Sequence, residues 1–193
     1  MTAEALDNAV DEHVAAGRFE AAAVLAIREL GPQILGYLAA LVGDFERARE
    51  VFSVFSEDLW SGLSSYRAEG TFRAWAYRVA RNAALRTMRD PYWRRGRRLE
   101  SEEHSELAAA VRSTTQAHAR PSADAKLARL RSALTPDEHA LLILRVDRDL
   151  SWSEIASALT TGRSRPDEAT LRKRFERLKE KLRRLAEAEG MLR

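Results

Sequence analysis

A basic amphipathic segment near the carboxyl end constrains the fold of this chain more than any other feature. Between Arg165 and Arg184 the segment contains nine Lys or Arg residues and four Asp or Glu residues. Apolar residues recur there with the four-three spacing of a helix that is buried along one side, at Leu171, Phe175, Leu178, Leu182 and Leu185. One face of this helix must therefore be anchored in a core, while the other presents an excess of cations.

A shorter helix is predicted immediately before the basic one. Ser151 is a suitable N-cap, and Glu154 follows three residues later, which is the spacing of a capping box. A short helix, a turn that contains Gly162 and a basic helix form the layout of a helix-turn-helix. The sequence therefore predicts a DNA-binding unit, with a merely solvated basic surface as the alternative interpretation.

The other segments also have helical periodicity. We expect helices over 1–30 with a break or bend at Gly17, over 32–43, over 45–63 with Asp44 as N-cap, and over 71–90. Gly31–Pro32 is expected to end the first of these helices and to begin the second. Because no strand-like alternation of useful length occurs, the predicted fold is all-α, with two small helical domains joined by a flexible linker.

A change in composition marks the predicted linker. After Asp90–Pro91 the chain continues with a basic cluster at Arg94–Arg98, then with the acidic stretch LESEEHSEL and a polar segment that ends near Pro121. Mixed charge with weak periodicity is typical of a linker. The predicted organisation is therefore an amino-terminal helical bundle over 1–91, a linker over 92–122 and a helix-turn-helix domain over 123–193.

Composition excludes several classes of function. The chain has no cysteine, so disulfides, thiolate metal sites and cysteine nucleophiles are excluded. Its four histidines are scattered without ligand spacing, and no phosphate loop or Ser/His/Asp arrangement occurs. We therefore predict a protein that is not an enzyme and has no cofactor or metal.

Charge and hydropathy bear on location and partners. The net charge is +3 and the isoelectric point is near 9.5, which suits an anionic partner. No apolar run approaches the ~20 residues needed to cross a bilayer, and the acidic start does not resemble a signal peptide. We therefore expect a cytoplasmic protein without membrane insertion.

Two motifs, taken together, resemble the sigma-70 family of bacterial transcription initiation factors, and specifically its short extracytoplasmic-function (ECF) type. The first motif, Gly70–Asn82, is GTFRAWAYRVARN, similar to the family pattern Phe-x-x-Trp-hydrophobic-Tyr-x-hydrophobic-Ala-Arg-Asn. The second runs from Leu134 to Ala156 and resembles the family's helix-turn-helix, with LTPDE, LLILR and LSWSEIA in that order. The resemblance covers roughly residues 20–90 and 124–186.

The resemblance implies three binding surfaces. A core polymerase-binding face on the helix from Asp44 to Trp60 would use Glu46, Arg49, Glu50 and Ser53, although Ser53 and Val54 stand where the family usually has a Gln-Glu or Gln-Asp pair. Reading and melting of the −10 promoter element would use Arg73, Trp75, Arg78, Arg81, Asn82, Arg86 and Arg89. Recognition of the −35 element would use Arg163, Arg165, Thr170, Arg172, Lys173, Arg174 and Arg177. The turn over 160–169 is several residues longer than the family's usual turn.

The resemblance also implies partners: core RNA polymerase, promoter DNA and an anti-sigma factor. The resulting hypothesis is a factor that binds core polymerase and directs it to promoters by their −10 and −35 elements. Two alternatives stay open. One is a stand-alone helix-turn-helix DNA-binding regulator, and the other is a sigma-like interaction protein without initiation activity.

Overall fold

The long helix α2, Phe19–Val42, is the element around which the amino-terminal part of this computed structural model packs. The structure describes residues 1–91, 93, 130, 133–162 and 164–191. Helices α1 (Ala3–Ala15), α3 (Phe45–Gly62) and α4 (Phe72–Arg89) all contact α2. The contacts form because one side of α2 carries a buried stripe at every fourth position, namely Ala22, Ala26, Leu30, Ile34 and Leu38.

The prediction that Gly31–Pro32 separates two helices is wrong, because α2 continues through both residues. A proline inside a helix costs about 3 kcal/mol, since it has no amide donor and its ring crowds the preceding turn. Here Pro32 lies on the exposed side, and the buried stripe runs on either side of it and offsets this cost. Gly31 is buried beside Phe52, where an added Cβ would lie 3.4 Å from the ring.

Helix α2 is also long and apolar enough to span a membrane, the one such helix in the described part of the chain. The sequence-based expectation that no apolar run approaches the length needed to cross a bilayer is therefore too strong for α2. Its apolar side supplies the centre of the bundle, with Tyr37 and Leu38 fully buried. Packing within the protein is a sufficient reason for this composition.

Side-chain caps fix where α3 and α4 begin. The predicted N-cap of α3 is confirmed, because the Asp44 carboxylate accepts the Arg47 amide at 2.8 Å. At the start of α4 the Thr71 hydroxyl accepts the Ala74 amide at 3.3 Å. Asp7 of α1 accepts the neighbouring Arg73 amide at 3.3 Å, so α1 helps to hold the start of α4. Burial raises the pKa of Asp7, and the hydrogen bonds from the backbone amides of Arg73 and Phe72 only partly oppose this rise.

The carboxyl-terminal part follows the predicted helix-turn-helix layout. Helix α5 (Pro136–Leu142) continues into a π-helical turn at Ile143–Asp147, and α6 (Trp152–Ala158) precedes α7 (Glu168–Ala188). The predicted capping box of Ser151 and Glu154 is confirmed, and Thr135 with Glu138 forms a second one at α5. Of the predicted stripe on α7, Leu171 and Leu178 are buried while the other three positions are half-buried.

The described helices share one continuous hydrophobic core. Helix α4 packs directly against α6, and α2 packs against α5, so buried residues of both halves of the chain belong to a single cluster. The prediction of an all-α fold is confirmed over the described residues, where the only pairing of β type is an isolated bridge between Thr161 and Ser164. The predicted linker lies outside the described residues except for Trp93.

Candidate functional site: surfaces for polymerase and nucleic acid

The exposed face of α3 gathers all four residues predicted to bind polymerase. Glu46, Arg49, Glu50 and Ser53 are exposed, whereas the opposite face is buried at Ala48, Val51, Phe55 and Leu59. The four predicted residues line one shallow groove together with Leu35 and Phe52. Arg49 and Glu46 form an exposed ion pair with an N–O distance of 3.5 Å. The face therefore combines both charge signs with an apolar floor, which is suitable for docking another protein.

Trp93 lies on the same face, and sequence reasoning did not place it there. Its indole N–H donates to the Glu50 carboxylate at 3.2 Å, and the Arg47 guanidinium lies 5.0 Å from the centre of its ring. Arg47 also donates to the Trp93 carbonyl oxygen at 3.3 Å. In the sequence, an aromatic residue directly before the basic cluster is the one feature that points to a role for Trp93. Nothing in the residue spacing indicates that it packs against α3.

Helix α4 presents the residues predicted for the −10 element in two different environments. Asn82, Arg86 and Arg89 are exposed, and Arg86 donates to Asp58 of α3 at 2.8 Å. Arg73 and Arg78 are half-buried, and Arg81 is only 6% exposed. The seven predicted residues therefore do not form one open surface in this conformation.

The aromatic residue of the predicted −10 set is packed within the protein. Trp75 is half-buried in a cluster with Tyr66 and Phe72, with ring centroids 5.1 and 5.4 Å from its own. Gly62 allows this packing, because a Cβ there would lie 3.1 Å from the indole ring. Burial raises the pKa of Tyr66, which keeps its hydroxyl neutral. The packing favours burial over base stacking for Trp75 in this conformation.

Helix α7 carries an open cationic face. Five of the residues predicted for the −35 element are exposed along it: Thr170, Arg172, Lys173, Arg174 and Arg177. Arg172 pairs with Glu168 one turn earlier at 2.9 Å, while its neighbours project from the same helix. Exposed arginines at the start of such a helix can read guanine in a major groove, and lysines can hold phosphates.

The long turn before α7 is tied to α6. Arg165 donates through one nitrogen to the carbonyl oxygen and the hydroxyl of Ser153, each at 3.2 Å. The bridge between Thr161 and Ser164 closes the turn around Gly162, whose φ of +58° favours glycine. The guanidinium predicted to contact DNA therefore braces the turn, while the predicted contact Arg163 lies outside the described residues.

Trp152 connects the elements of the helix-turn-helix, a role that sequence reasoning missed. Its ring makes an edge-to-face contact with Phe175 at 5.7 Å, and Arg145 and Arg172 lie 5.0 and 5.8 Å from its centre. An aromatic residue directly after the Ser151 cap was the available signal. The contact sets the orientation of α7 against α6 from the side that carries the cations.

The start of α7 carries an anionic side-chain cap. The Asp167 carboxylate occupies that position as N-cap, accepting the Thr170 amide at 3.0 Å and lying 3.4 Å from the Thr170 hydroxyl. An anionic cap occupies one of the free amides and repels a phosphate placed beside the others. The exposed side chains of α7 are therefore better placed for phosphate contacts than its first amides are.

The comparisons with known proteins identify a family match over part of the chain. The family model for sigma-70 region 2 matches residues 26–98, which include most of α2 and the whole of α3 and α4. No curated protein sequence matches the chain significantly.

Among solved structures, the chain is similar to the sigma factor RpoE in a co-crystal structure with the anti-sigma factor NepR from Bartonella quintana. The TM-score is 0.57 and the sequence identity is 16%, over 83% of this chain and 94% of that chain. Residues 26–98 therefore match sigma-70 region 2, and the all-α fold of the chain is similar to that of a solved sigma factor.

Proposed function

We propose that this protein is a transcription initiation factor that docks on core RNA polymerase through α3 and directs the polymerase to promoters through α4 and α7. The observation that carries the proposal is the region 2 match, because residues 26–98 contain both the exposed face of α3 and the arginine-rich helix α4. The proposal assigns 1–91 to polymerase binding and the −10 element, and 123–193 to the −35 element.

The chemistry of α4 suits the opening of a promoter. Strand separation requires unstacking of bases, which costs a few kcal/mol for each flipped base. Asn82 is exposed and offers a donor and an acceptor to a base edge, and Arg86 and Arg89 offer positive charge to phosphates nearby. In the proposal Arg73, Arg78 and Arg81 join this surface, and Trp75 supports it from within the aromatic cluster.

The cationic face of α7 suits recognition of a duplex. A basic helix behind a short preceding helix is the element that a helix-turn-helix places in the major groove. Arg174 and Arg177 are assigned to base edges or phosphates, and Lys173 to phosphates. Arg165 and Arg163 are assigned to the edge of this contact, where the long turn approaches the DNA backbone.

An anti-sigma protein is proposed as a second partner. The solved RpoE structure contains its anti-sigma factor NepR, and 94% of that chain is covered by the comparison. A protein with the same fold offers similar helical faces for such a partner, and the exposed groove on α3 is one of them.

A stand-alone helix-turn-helix regulator is the second candidate, favoured by the exposed cations of α7. Gel filtration with core polymerase and a labelled promoter fragment separates the two functions. The proposal predicts that the protein co-elutes with core enzyme and that specific DNA binding appears only in the mixture. Specific duplex binding by the free protein, with no co-elution, would support the regulator instead.

A charge reversal on α3 makes this experiment specific to the proposed face. Glu50→Lys is expected to weaken co-elution with core enzyme at least tenfold, because it reverses one charge of a protein interface. Glu12→Lys, the same charge reversal on an exposed part of α1, is the matched control and should co-elute as wild type does. If both variants behave alike, α3 is not the docking face.

A further inference from the structure

Arg81 of α4 is buried by the carboxyl-terminal half of the chain. Its guanidinium donates to the Asp137 carboxylate of α5 at 2.6 Å and to the Thr161 hydroxyl, in the turn before α7, at 3.2 Å. The side chain of Arg81 is 7% exposed although that of Asp137 is 67% exposed. A cation proposed to contact DNA is therefore covered, and a carboxylate stands where a phosphate would have to bind.

Arg73, at the start of α4, has a second carboxylate partner. Glu154 of α6 accepts from the Arg73 guanidinium and from the Thr71 hydroxyl, each at 3.1 Å. Its other oxygen accepts the Ser151 amide at 2.8 Å as part of the capping box. The same side chain therefore begins α6 and joins it to α4, so the contact is held in a fixed geometry.

A third polar contact also joins the two halves of the chain, but here the donor belongs to the carboxyl-terminal half. Arg148, after the π-helical turn, donates to the Gln33 carbonyl oxygen of α2 at 3.1 Å. Gly36 allows the approach, because a Cβ there would lie 3.3 Å from the guanidinium. Helix α4 also packs on α6, and Ala80 and Ile155 are buried in the one hydrophobic cluster that includes both helices.

We propose that the pairs Arg81–Asp137 and Arg73–Glu154 form an interdomain latch that holds the free protein closed and covers part of its −10 surface. The identity of the covered surface as a −10 surface rests on the proposed function. The closed arrangement of the two halves depends only on the contacts described above. In the latched state Asn82 stays exposed while Arg73 and Arg81 do not, so the free protein has an incomplete site for single-stranded DNA.

The latch has to be weak enough to open. The Arg81–Asp137 pair has one exposed partner and contributes little, whereas both side chains of the Arg73–Glu154 pair are largely covered. Phosphates and polymerase groups would compete with the two carboxylates for these arginines. Residues 94–129 join the two halves, and a chain of that length can reach further than the diameter of either half. Partner binding can therefore separate the halves without breaking a covalent connection, and an open state becomes the form that engages the promoter.

The test compares interdomain distances in the wild type and in the variant Asp137→Asn/Glu154→Gln. Glutamine is compatible with a capping box at this position, so α6 keeps its N-terminal cap while both ion pairs are lost. Because the chain has no cysteine, spin labels can be placed at Ser64→Cys and Ala188→Cys, two exposed positions in the two halves. Pulsed electron paramagnetic resonance then gives the distribution of distances between the labels.

The latch predicts one narrow, short distance for the wild type and a distribution that extends to longer distances for the variant. The open fraction should rise by about tenfold. Glu12→Gln/Glu57→Gln, which removes two exposed carboxylates outside the latch, is the control and should match the wild type. Identical distributions for the latch variant and the wild type would overturn the latch, as would a broad distribution for the wild type itself.

A second measurement separates failure of the latch from failure of the proposed function. Binding of a fluorescent single-stranded oligonucleotide by the free protein should strengthen about tenfold in the latch variant and stay unchanged in the control. If the distances lengthen and the affinity does not change, the latch stands and the assignment of α4 to the −10 element fails.

Discussion

Truncation of Leu171 tests how the cationic helix is held. Leu171 lies near the start of α7 and is fully buried. Leu171→Ala removes three carbon atoms, for which the lost transfer free energy is about 2.4 kcal/mol at ~0.8 kcal/mol per methylene. The residual cavity adds to this loss, giving about 3 to 4 kcal/mol within the range found for buried leucines. Because alanine favours helix at least as well as leucine does, the loss reports packing.

The assay is hydrogen exchange of the α7 amides, which reports the free energy of local opening. A loss of about 3 kcal/mol should accelerate exchange about a hundredfold. Leu182→Ala, on the same helix but half-buried, is the control and should accelerate exchange by less than about tenfold. Equal acceleration in the two variants would refute the claim that α7 is anchored through Leu171.

Three further changes test the helices and the interdomain contact. Asp44→Ala removes the N-cap of α3 and should lower the free energy of unfolding by about 1 kcal/mol in urea titrations, whereas Asp44→Asn should lower it much less. Pro32→Ala restores an amide donor in the middle of α2 and should raise the melting temperature; a lower one would show that the helix requires the proline. Burial raises the pKa of Glu154, but the hydrogen bonds from Ser151 and the charge of Arg73 outweigh burial and lower the pKa overall. Its stabilising contribution is therefore complete above the unfolded value of about 4.3 and is lost as pH falls through the folded value. The stability difference between wild type and Glu154→Gln should shrink toward zero in that acidic range, and a difference that grows there would contradict the assignment.

The helix boundaries were largely predictable from local chemistry. Asp44, Ser151 and Glu154 are polar residues whose side chains bond the first amides of a helix, and their positions relative to the apolar stripes can be found in the sequence. Gly31–Pro32 misled the prediction because local preference was outweighed by the buried stripe of α2, which only the assembled bundle supplies.

The composition of each candidate surface was predictable, but its accessibility was not. The exposed cations of α7 and the residues around the groove on α3 follow from helical spacing on elements whose opposite faces are buried. The environment of Arg81 depends on Asp137 and Thr161, which are separated from it by more than fifty residues, and no periodicity links them. Trp93 and Trp152 were missed for the same reason, because contacts between elements determine which side of an aromatic ring is covered.

We propose, as the central function, that this chain directs polymerase to promoters through two separate contacts with DNA. Run-off transcription measures this directly, using core RNA polymerase on fragments of the genome that encodes the protein and mapping the transcript ends. The account predicts discrete transcripts that require the protein, and a loss of at least tenfold for Asn82→Ala and for Arg174→Ala, but not for Glu12→Gln. Absence of any transcript that depends on the protein, or equal yields from all four proteins, would contradict it.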